Sequence, residues 1–511
     1  MSHTAGRAPR VAVVGAGLGG MSAAIRLAAA GYAVTVFEKQ DGPGGKAFSN
    51  DLGAYRFDTG PSLFTLRHVF EQLFEEAGRT LEDYLGLIPL ERICNYFWRG
   101  GERMSSYADR DRFAAEFERL FGEDPVHLTR FLDYSGRIHG ITAHLFLERS
   151  LHEWSTYRSR GFWSSLVQLP RIDALRTMDR ANGRFFSHPK VRQFFDRYAT
   201  YNGSDPYQTP ATLNVIPHIE YELGAWAVRG GIHAVPRALE RVAREVGVTF
   251  RYGVTVDRIL TDTRRGWAPG WRRAVRGVLV GDTVHEADIV ISNADVTPTY
   301  RYLLEDTDAR IYRRYEKLEP SSSGLVFYWG VRRRFDELGL HNIFFSDDYQ
   351  KEFRQIFSAH RCPDDPTIYL NITAKEGDSD AAPPDGENWF VLINAPWDDG
   401  QDWDAEARRV RRAVLERLGS ELSVDLETLI EEEDVMLPPD IAARTDSNRG
   451  SLYGISSNTP LAAFLRHPNR SRRYRGLYFV GGSAHPGGGM PLVVLGGRIV
   501  ADLVRRGHPI T

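Results

Sequence analysis

The sequence is short of cysteine. Its two thiols in 511 residues, Cys94 and Cys362, stand far apart and in no C-x-x-C pair, which leaves no readable disulfide framework or zinc site. Long apolar runs are missing as well. No stretch reaches the about 18 apolar residues that a membrane-crossing helix needs, so no transmembrane helix is expected. Residues Met1 to Arg10 are polar and carry no apolar centre of a secretory signal, and a cytoplasmic location is the expectation. An excess of one charge is absent too. Lys and Arg number 64 against 67 Asp and Glu, a net charge of −3, which carries no global signal for nucleic acid. No metal cluster and no Ser/His/Asp set stands out by its spacing, so neither is expected.

Hydrophobic residues make up 42% and charged residues 26%, the balance of a folded globular chain. The length suits two to four structural units at about 100–200 residues each. Glycine is plentiful at 48, which suits a backbone that must approach a ligand closely.

The first 60 residues carry the most information. Val11–Val14 is a short, mostly β-branched run that reads as a strand. Gly15-Ala16-Gly17-Leu18-Gly19-Gly20 follows, then a helical stretch from Met21 to Ala30 ended by Gly31, then a second strand, Val34–Phe37, closed by Glu38. This is the strand, G-x-G-x-x-G, helix, strand, acid order of a dinucleotide-binding unit. Gly15 permits the tight turn, Gly17 admits a pyrophosphate close to the backbone, and Gly20 lets helix and strand pack. The helix N-terminus offers free N–H groups to phosphates. Glu38 lies 18 residues after Gly20 and can accept hydrogen bonds from ribose hydroxyls. An acid there argues against a 2′-phosphate, hence against NADP. The plainer alternative is a glycine-rich turn in an ordinary βαβ unit.

The far end repeats the theme. Gly476–Val480 reads as a strand and runs into Gly481-Gly482-Ser483-Ala484-His485-Pro486-Gly487-Gly488-Gly489-Met490-Pro491, with a helix from about Leu492 to Arg505. One domain that needs both ends makes the middle an insertion. Gly230-Gly231 before a helix, Ile232 to Glu245, then Gly247–Phe250, Val254–Val256 and a buried strand in Ala287–Asp295 that ends in a polar turn holding Asn293 return the chain to the nucleotide fold, with plain sheet core as the alternative for each. Residues from about Asp111 to Tyr221 look helical. Within them Leu151–Thr200 holds nine basic residues against four acids, with Trp154, Tyr157, Phe162, Trp163, Phe185, Phe186, Phe194 and Phe195 interleaved. Such a segment can lie on an anionic membrane face, or simply cover a core with a solvated face. Strands are expected at Gly324–Val331, Asn342–Phe345, Thr367–Thr373 and Trp389–Ala395, with a helix from Asp404 to Leu418 and a loop at Glu376–Asp385.

Beyond Glu38 come Lys39, Asp41-Gly42-Pro43-Gly44-Gly45-Lys46 and Arg56-Phe57-Asp58-Thr59-Gly60-Pro61-Ser62, a loop able to wrap a second nucleotide half. With these residues and the C-terminal glycine segment, the sequence resembles the flavin amine-oxidase-like superfamily. It most closely resembles the bacterial-type phytoene desaturase family of carotenoid desaturases, from about Arg10 to Arg506. The resemblance implies FAD, held by Gly15, Gly17, Leu18, Gly19, Gly20, Glu38, Lys39, Gly45, Lys46, Gly60, Pro61, Ser62, Val256, Asn293, Gly482, Ser483, Gly489, Met490 and Pro491. The C-terminal segment would run along the ribityl chain and isoalloxazine. Ala484 stands where usual members carry Thr, and His485 suits a structural or flavin-orienting role better than a catalytic one. The family places Tyr207–Ala211 and Ile216–Glu220 beside the substrate channel. Glu220, where members commonly carry an acid, is the candidate to manage a proton, with a surface or capping role as the alternative.

The implied fold is α/β: a Rossmann-like FAD-binding domain with an inserted mixed-sheet substrate domain and a helical membrane-facing segment. The FAD-binding parts are expected at 1–110, 226–300 and 437–511, the helical membrane and substrate-entry segment at 111–225, and the substrate domain at 301–436. The implied activity is desaturation of a carotenoid, with oxygen or a quinone as final electron acceptor and a peripheral position on the inner face of the membrane. His341–Ser346 and Glu387–Val391 look most like the branch acting on hydroxylated carotenoids, the 1-hydroxycarotenoid 3,4-desaturases. Phytoene desaturase, a flavin-dependent isomerase, another FAD oxidoreductase such as an amine oxidase, and a non-catalytic carotenoid-binding scaffold are the alternatives.

Overall fold

Val11, Ala12, Val13 and Val14 are all buried, because the strand Arg10–Val14 sits at the centre of a parallel sheet covered on both faces. In the computed structural model, which describes residues 7–143, 153, 168–262, 273–377, 379–459, 462 and 466–510, this sheet has five strands. Their order is Thr249–Arg251, Ala33–Phe37, Arg10–Val14, Ile289–Ser292 and Leu477–Phe479. Val13 pairs with Ile291, and Ile291 pairs with Tyr478. The start, middle and end of the chain therefore share one sheet. Helices Leu18–Ala29, Ala234–Glu245 and Met490–Gly507 cover one face. Val11, Val13, Val34 and Val36 meet Met21, Ile25, Leu239 and Val494 there in one core. A small sheet, Arg258–Asp262, Arg273–Val280 and Thr283–Glu286 antiparallel with Tyr474–Arg475 parallel beside the second, covers the other face, where Val14, Phe37, Ile259 and Val278 pack together.

The inserted domain is built on a sheet of seven strands. Their order is Ile430–Met436, Ser323–Val331, Glu387–Ala395, Ile368–Ile372, His341–Phe344, Arg92–Phe97 and Arg103–Tyr107. All neighbours are antiparallel except His341–Phe344 beside Arg92–Phe97. The helix Trp403–Leu422 covers one face through Trp403, Val410, Val414 and Leu418. The last two strands of this order fall in the span 1–110, read from sequence as FAD-binding. They join the other domain because Tyr96 stacks on Phe345 and Phe97 on Phe344, with ring centroids 6.0 and 4.4 Å apart. The edge strand Ile-Glu-Glu-Glu-Asp-Val-Met has no apolar alternation to announce it.

The helical part begins with Arg110–Phe121 and Pro125–Thr142 and continues in shorter turns to Val215–Tyr221. Much of the basic aromatic segment, including Trp154, Tyr157, Arg158, Arg160, Phe162 and Trp163, lies outside the described residues. Of its described aromatics, Phe186, Phe194 and Phe195 are buried in one core with Phe131, so these rings serve packing rather than a surface. Cys94 and Cys362 are buried free thiols.

Two helices of the nucleotide fold pack in close contact. Ser22 Oγ donates to the carbonyl of Val494 at 2.7 Å, and a Cβ on Gly497 would run into the Ser22 side chain. Replacing Gly497 with Leu should push helices Leu18–Ala29 and Met490–Gly507 apart and cost about 1–3 kcal/mol. The expected outcome is a lower thermal midpoint together with loss of bound flavin on gel filtration, whereas Gly497→Ala should fall between the two.

Candidate functional site

Helix Leu18–Ala29 starts at Gly17 with no side-chain cap and no acid in its first turn. Helix Met490–Gly507 starts the same way at Gly489, whose φ is +100°, with Pro491 in its first turn. The first N–H groups of a helix lack internal partners, and the helix dipole makes that end positive. Both N-termini open on one cavity of about 760 Å³, within the roughly 300–1,000 Å³ usual for ligand sites. Two anion-favouring helix ends facing one space suit a ligand with a charged diphosphate.

The walls complete the picture. Glu38 reaches across the turn, accepting from the Ala16 N–H at 2.6 Å and from the Gln40 N–H at 2.9 Å. Its carboxylate holds the end of the second strand against the glycine turn. The Gly44 N–H donates to the Ala16 carbonyl at 3.0 Å, so the second glycine loop lies over the first. Gly44 has φ of +131°, and a Cβ there would run into the Ala47 carbonyl, so the loop needs glycine. Lys46 Nζ donates to the carbonyls of Ser451 and Leu452 at 2.9 and 2.7 Å. Burial pushes its ammonium down to about 8. Asp295 accepts from the Thr297 N–H at 3.0 Å, and burial pushes its carboxyl above the usual range.

Of the sequence candidates, Gly15, Gly17, Leu18, Gly19, Glu38, Lys39, Gly45, Lys46, Gly60, Pro61, Val256, Asn293, Gly482, Ser483, Gly489 and Met490 line this cavity. Gly20 stands behind it: its N–H donates to Asn293 Oδ1, and a Cβ would meet the Gly15 carbonyl at 2.6 Å. Pro491 follows Met490 in the helix, and Ser62 follows Pro61 with its hydroxyl bonded to the Tyr369 phenol. Val256 lies in an extended connection, not in a strand. His485 is buried away from the cavity wall.

Glu220 is elsewhere. It is 1% exposed. Its Oε1 accepts from Tyr198 Oη at 2.7 Å and Arg197 Nη2 at 3.3 Å, and its Oε2 accepts from Tyr201 Oη at 2.7 Å. Both oxygens are committed to donors, and the structure does not bring this acid to the cavity. The cavity also takes in Arg444, Asp446, Ser447, Tyr453 and Gly454, which the sequence reading passed over. The helix Pro438–Thr445 and the left-handed turn at Asp446 deliver them. The glycines at 450 and 454, both of positive φ in the structure, were the signal the sequence offered, in a stretch with no known fingerprint.

The cavity then runs on to Val326, Phe390, Leu392 and Met436 of the seven-stranded sheet. The site thus has a polar, glycine-lined nucleotide half and an apolar half. The polar half fits a flavin dinucleotide on this chain's own geometry: two uncapped helix ends, and Gly17, where a Cβ would crowd Asn293 Nδ2 at 2.9 Å.

A doubly covered parallel sheet with two glycine turns on one cavity is the arrangement of a dinucleotide-binding protein. The chain belongs to the flavin-containing amine oxidoreductase family, whose model matches residues 18–505, and it is an FAD-dependent oxidoreductase. It is 42% identical over 492 residues to a 1-hydroxycarotenoid 3,4-desaturase of Flavobacterium sp. (strain P99-3), covering 96% of this chain and 98% of the relative. It is 36% identical to a 4,4'-diaponeurosporene oxygenase of Staphylococcus aureus (strain USA300), covering 97% of each chain. Among solved structures, an oxidoreductase from Methanosarcina mazei shares the fold at a TM-score of 0.62 and 16% identity, over 96% of this chain and 100% of that one. Cyclohexylamine oxidase from Brevibacterium oxydans IH-35A does so at 0.58 and 16%, over 98% and 99%.

Lys46 supplies a half-buried cation on the nucleotide half. Replacing it with Met should weaken FAD binding by roughly tenfold or more, the usual scale for losing a charge-assisted contact. In the flavin-free protein this ammonium loses its proton around pH 8. FAD affinity, followed by quenching of flavin fluorescence, should therefore fall as pH rises from 7 to 9 in the natural protein. It should stay flatter in Lys46→Met.

Proposed function

We propose that the protein is a carotenoid desaturase that uses FAD to introduce a C=C bond into a hydroxylated acyclic carotenoid, a reaction of the 1-hydroxycarotenoid 3,4-desaturase kind. The carrying observation is the end-to-end likeness to a protein of that name, with a cavity whose chemistry agrees. Gly15 to Gly19, Glu38 and Lys46 would hold the nucleotide and diphosphate, and Gly482, Ser483, Gly489 and Met490 the flavin end. Bound FAD supplies the acceptor for a hydride taken from one carbon. A proton leaves the adjacent carbon, and the two carbons become doubly bonded.

The residues of the chain do the positioning. Val326, Phe390, Leu392 and Met436 give the reacting carbons an apolar wall that excludes water and fixes the polyene beside the flavin. No side chain on that wall competes as a nucleophile. The protein would take its substrate from a lipid surface, since a polyene has little solubility in water, and would pass electrons on to oxygen or a quinone. Among the described residues no helix is long and apolar enough to cross a membrane, which agrees with peripheral contact on the inner face.

The test is expression in parallel carotenoid-producing cells supplying phytoene, lycopene or 1-hydroxylated γ-carotene, followed by absorption and mass of the extracted pigment. Loss of two hydrogens with a red shift on the hydroxylated compound is the expected result. Coloured products from phytoene would shift the reading to a phytoene desaturase. Gain of oxygen would move it towards oxygenase chemistry. No mass change on any carotenoid, with FAD bound to the purified protein, would overturn it.

A further inference from the structure

The apolar half of the cavity is floored by one face of the seven-stranded sheet, and the register shows where that face continues. Met436 pairs with Val326, Val326 with Leu392, Leu392 with Tyr369, and Tyr369 with Ile343. Phe390 pairs with Asn371, and Asn371 with His341. Paired residues in a ladder project to the same side. His341, Tyr369 and Asn371 therefore share the face of Phe390 and Leu392, one or two strands further along. Tyr369 packs edge-on against the cavity residue Phe390, with ring centroids 6.4 Å apart.

These three side chains form an ordered polar chain. His341 Nδ1 lies 2.8 Å from Tyr369 Oη and 3.1 Å from Asn371 Nδ2. Asn371 Nδ2 also donates to the Leu340 carbonyl at 2.9 Å. A carbonyl only accepts, so the amide nitrogen must be the atom facing His341, and Nδ1 must be the accepting nitrogen. The single lone pair of Nδ1 is then shared by the Asn371 amide and the Tyr369 hydroxyl, and the Tyr369 oxygen accepts from the Ser62 hydroxyl. Ser62 is the neighbour of Pro61 on the cavity wall. The ring proton is thereby fixed on Nε2, by assignment from the bonding partners.

Among the described residues, that N–H has no partner. His341 is 4% exposed, and its Nε2 is a buried atom with no hydrogen bond. Burial pushes the imidazole down to about 3, with the charge of Arg197 acting in the same direction, so the ring stays neutral and keeps this tautomer across the working pH range. A buried donor left unsatisfied is costly, and native proteins rarely keep one without a use. The geometry asks for an oxygen acceptor without charge at the end of an otherwise apolar surface.

We infer that His341 Nε2–H receives the hydroxyl oxygen of the substrate's end group, and that the Ser62, Tyr369, His341, Asn371 chain sets the preference for hydroxylated over hydrocarbon polyenes. The inference rests on the carotenoid reading above. His341 is a binding residue in this role, Tyr369 and Asn371 are positioning residues, and the site needs no charge change in turnover.

The experiment compares kcat/KM on two acyclic carotenoids of equal polyene length, one bearing a terminal tertiary hydroxyl and one without it. The enzymes are the natural FAD-loaded protein, His341→Phe, His341→Gln and Tyr369→Phe, each with its flavin absorbance recorded. The natural enzyme should favour the hydroxylated compound by roughly tenfold or more, the scale of one buried hydrogen bond. His341→Phe should bring that ratio close to one, mainly through KM. His341→Gln, whose amide can still donate, should recover part of it. Tyr369→Phe, which keeps the ring packing but frees the tautomer, should lower it. A ratio unchanged by all three substitutions, or equal loss on both substrates with flavin retained, would overturn the inference. So would equal rates for the two substrates in the natural enzyme, and this outcome leaves the desaturase reading standing. If the natural enzyme converts neither compound, the desaturase reading itself fails, before any variant is compared.

Discussion

Three segments far apart in sequence meet at the side-chain amide of Asn293. Its Oδ1 accepts from the Gly20 N–H, which fixes the first turn of helix Leu18–Ala29 to the end of strand Ile289–Ser292. A Cβ on Gly17 or Gly19 would come within 2.9 or 3.1 Å of the same amide, and one on Gly481 within 3.4 Å of the Asn293 carbonyl. Gly17, Gly19 and Gly20 of the first turn are thus crowded by Asn293, whose side chain fills the space beside them. The half-buried amide bonds the N-terminal turn directly, and the C-terminal turn lies against the same residue, with a Cβ on Gly481 3.4 Å from its carbonyl. The flavin half of the cavity exists only as the product of that meeting.

The same constraint decides how the inserted sheet can sit. The chain leaves the nucleotide fold after the second strand and immediately forms a hairpin, Ser49–Leu52 with Tyr55–Asp58. Tyr55 Oη donates to Glu431 on the sheet edge at 2.9 Å, and a Cβ on Gly330 would run into the Tyr55 ring. Asp58 faces the other way. Its carboxylate accepts from the Ile232 and His233 N–H groups at 2.8 and 3.0 Å, just ahead of helix Ala234–Glu245. Charge-assisted bonds of this type are stronger than neutral ones. A four-residue strand thereby ties the apolar sheet to the nucleotide fold, and a single cavity can have a polar wall from one and an apolar wall from the other.

This division also explains which parts were legible in the sequence. The glycine turns carry their meaning locally, in a fixed order of strand, turn, helix and acid, so Gly15 to Gly20, Glu38 and Gly482 to Met490 could be placed without a structure. Arg92–Phe97 and Arg103–Tyr107 could not. Their apolar residues are satisfied by Phe344 and Phe345, about 250 residues away in sequence, and nothing local distinguishes that partner from the nearer nucleotide sheet. Ile430–Met436 is an edge strand rich in carboxylates, a composition that keeps an edge from pairing further and hides it from any search for alternating apolar residues. Tyr453 and Asp446 reach the cavity through turn geometry alone. The segment His341–Ser346 was singled out for its resemblance, yet the tautomer that gives His341 its chemistry depends on Asn371 and Leu340 together, a relation only register reveals.

Glu220 shows the limit of reading a carboxylate by type. In an apolar tunnel such a group would manage a proton, but here it is the acceptor at the centre of Arg197, Tyr198 and Tyr201. Arg197 in turn bonds the phenol of Tyr96 at 2.6 Å, and Tyr96 pairs with Ile343 on the sheet face that carries His341. Taking one partner from a buried pair leaves the other uncompensated at a cost of about 3–5 kcal/mol, which commits this network to anchoring the helical layer on the sheet. The face therefore runs from apolar at Met436 and Val326, through an oriented neutral donor at His341, to a charged network at Tyr96. A long hydrocarbon can lie only along the first part, and an uncharged polar end finds its partner at the second. The third carries the Arg197 and Glu220 charges, so it ends the apolar surface and limits how far along the sheet a bound polyene can extend.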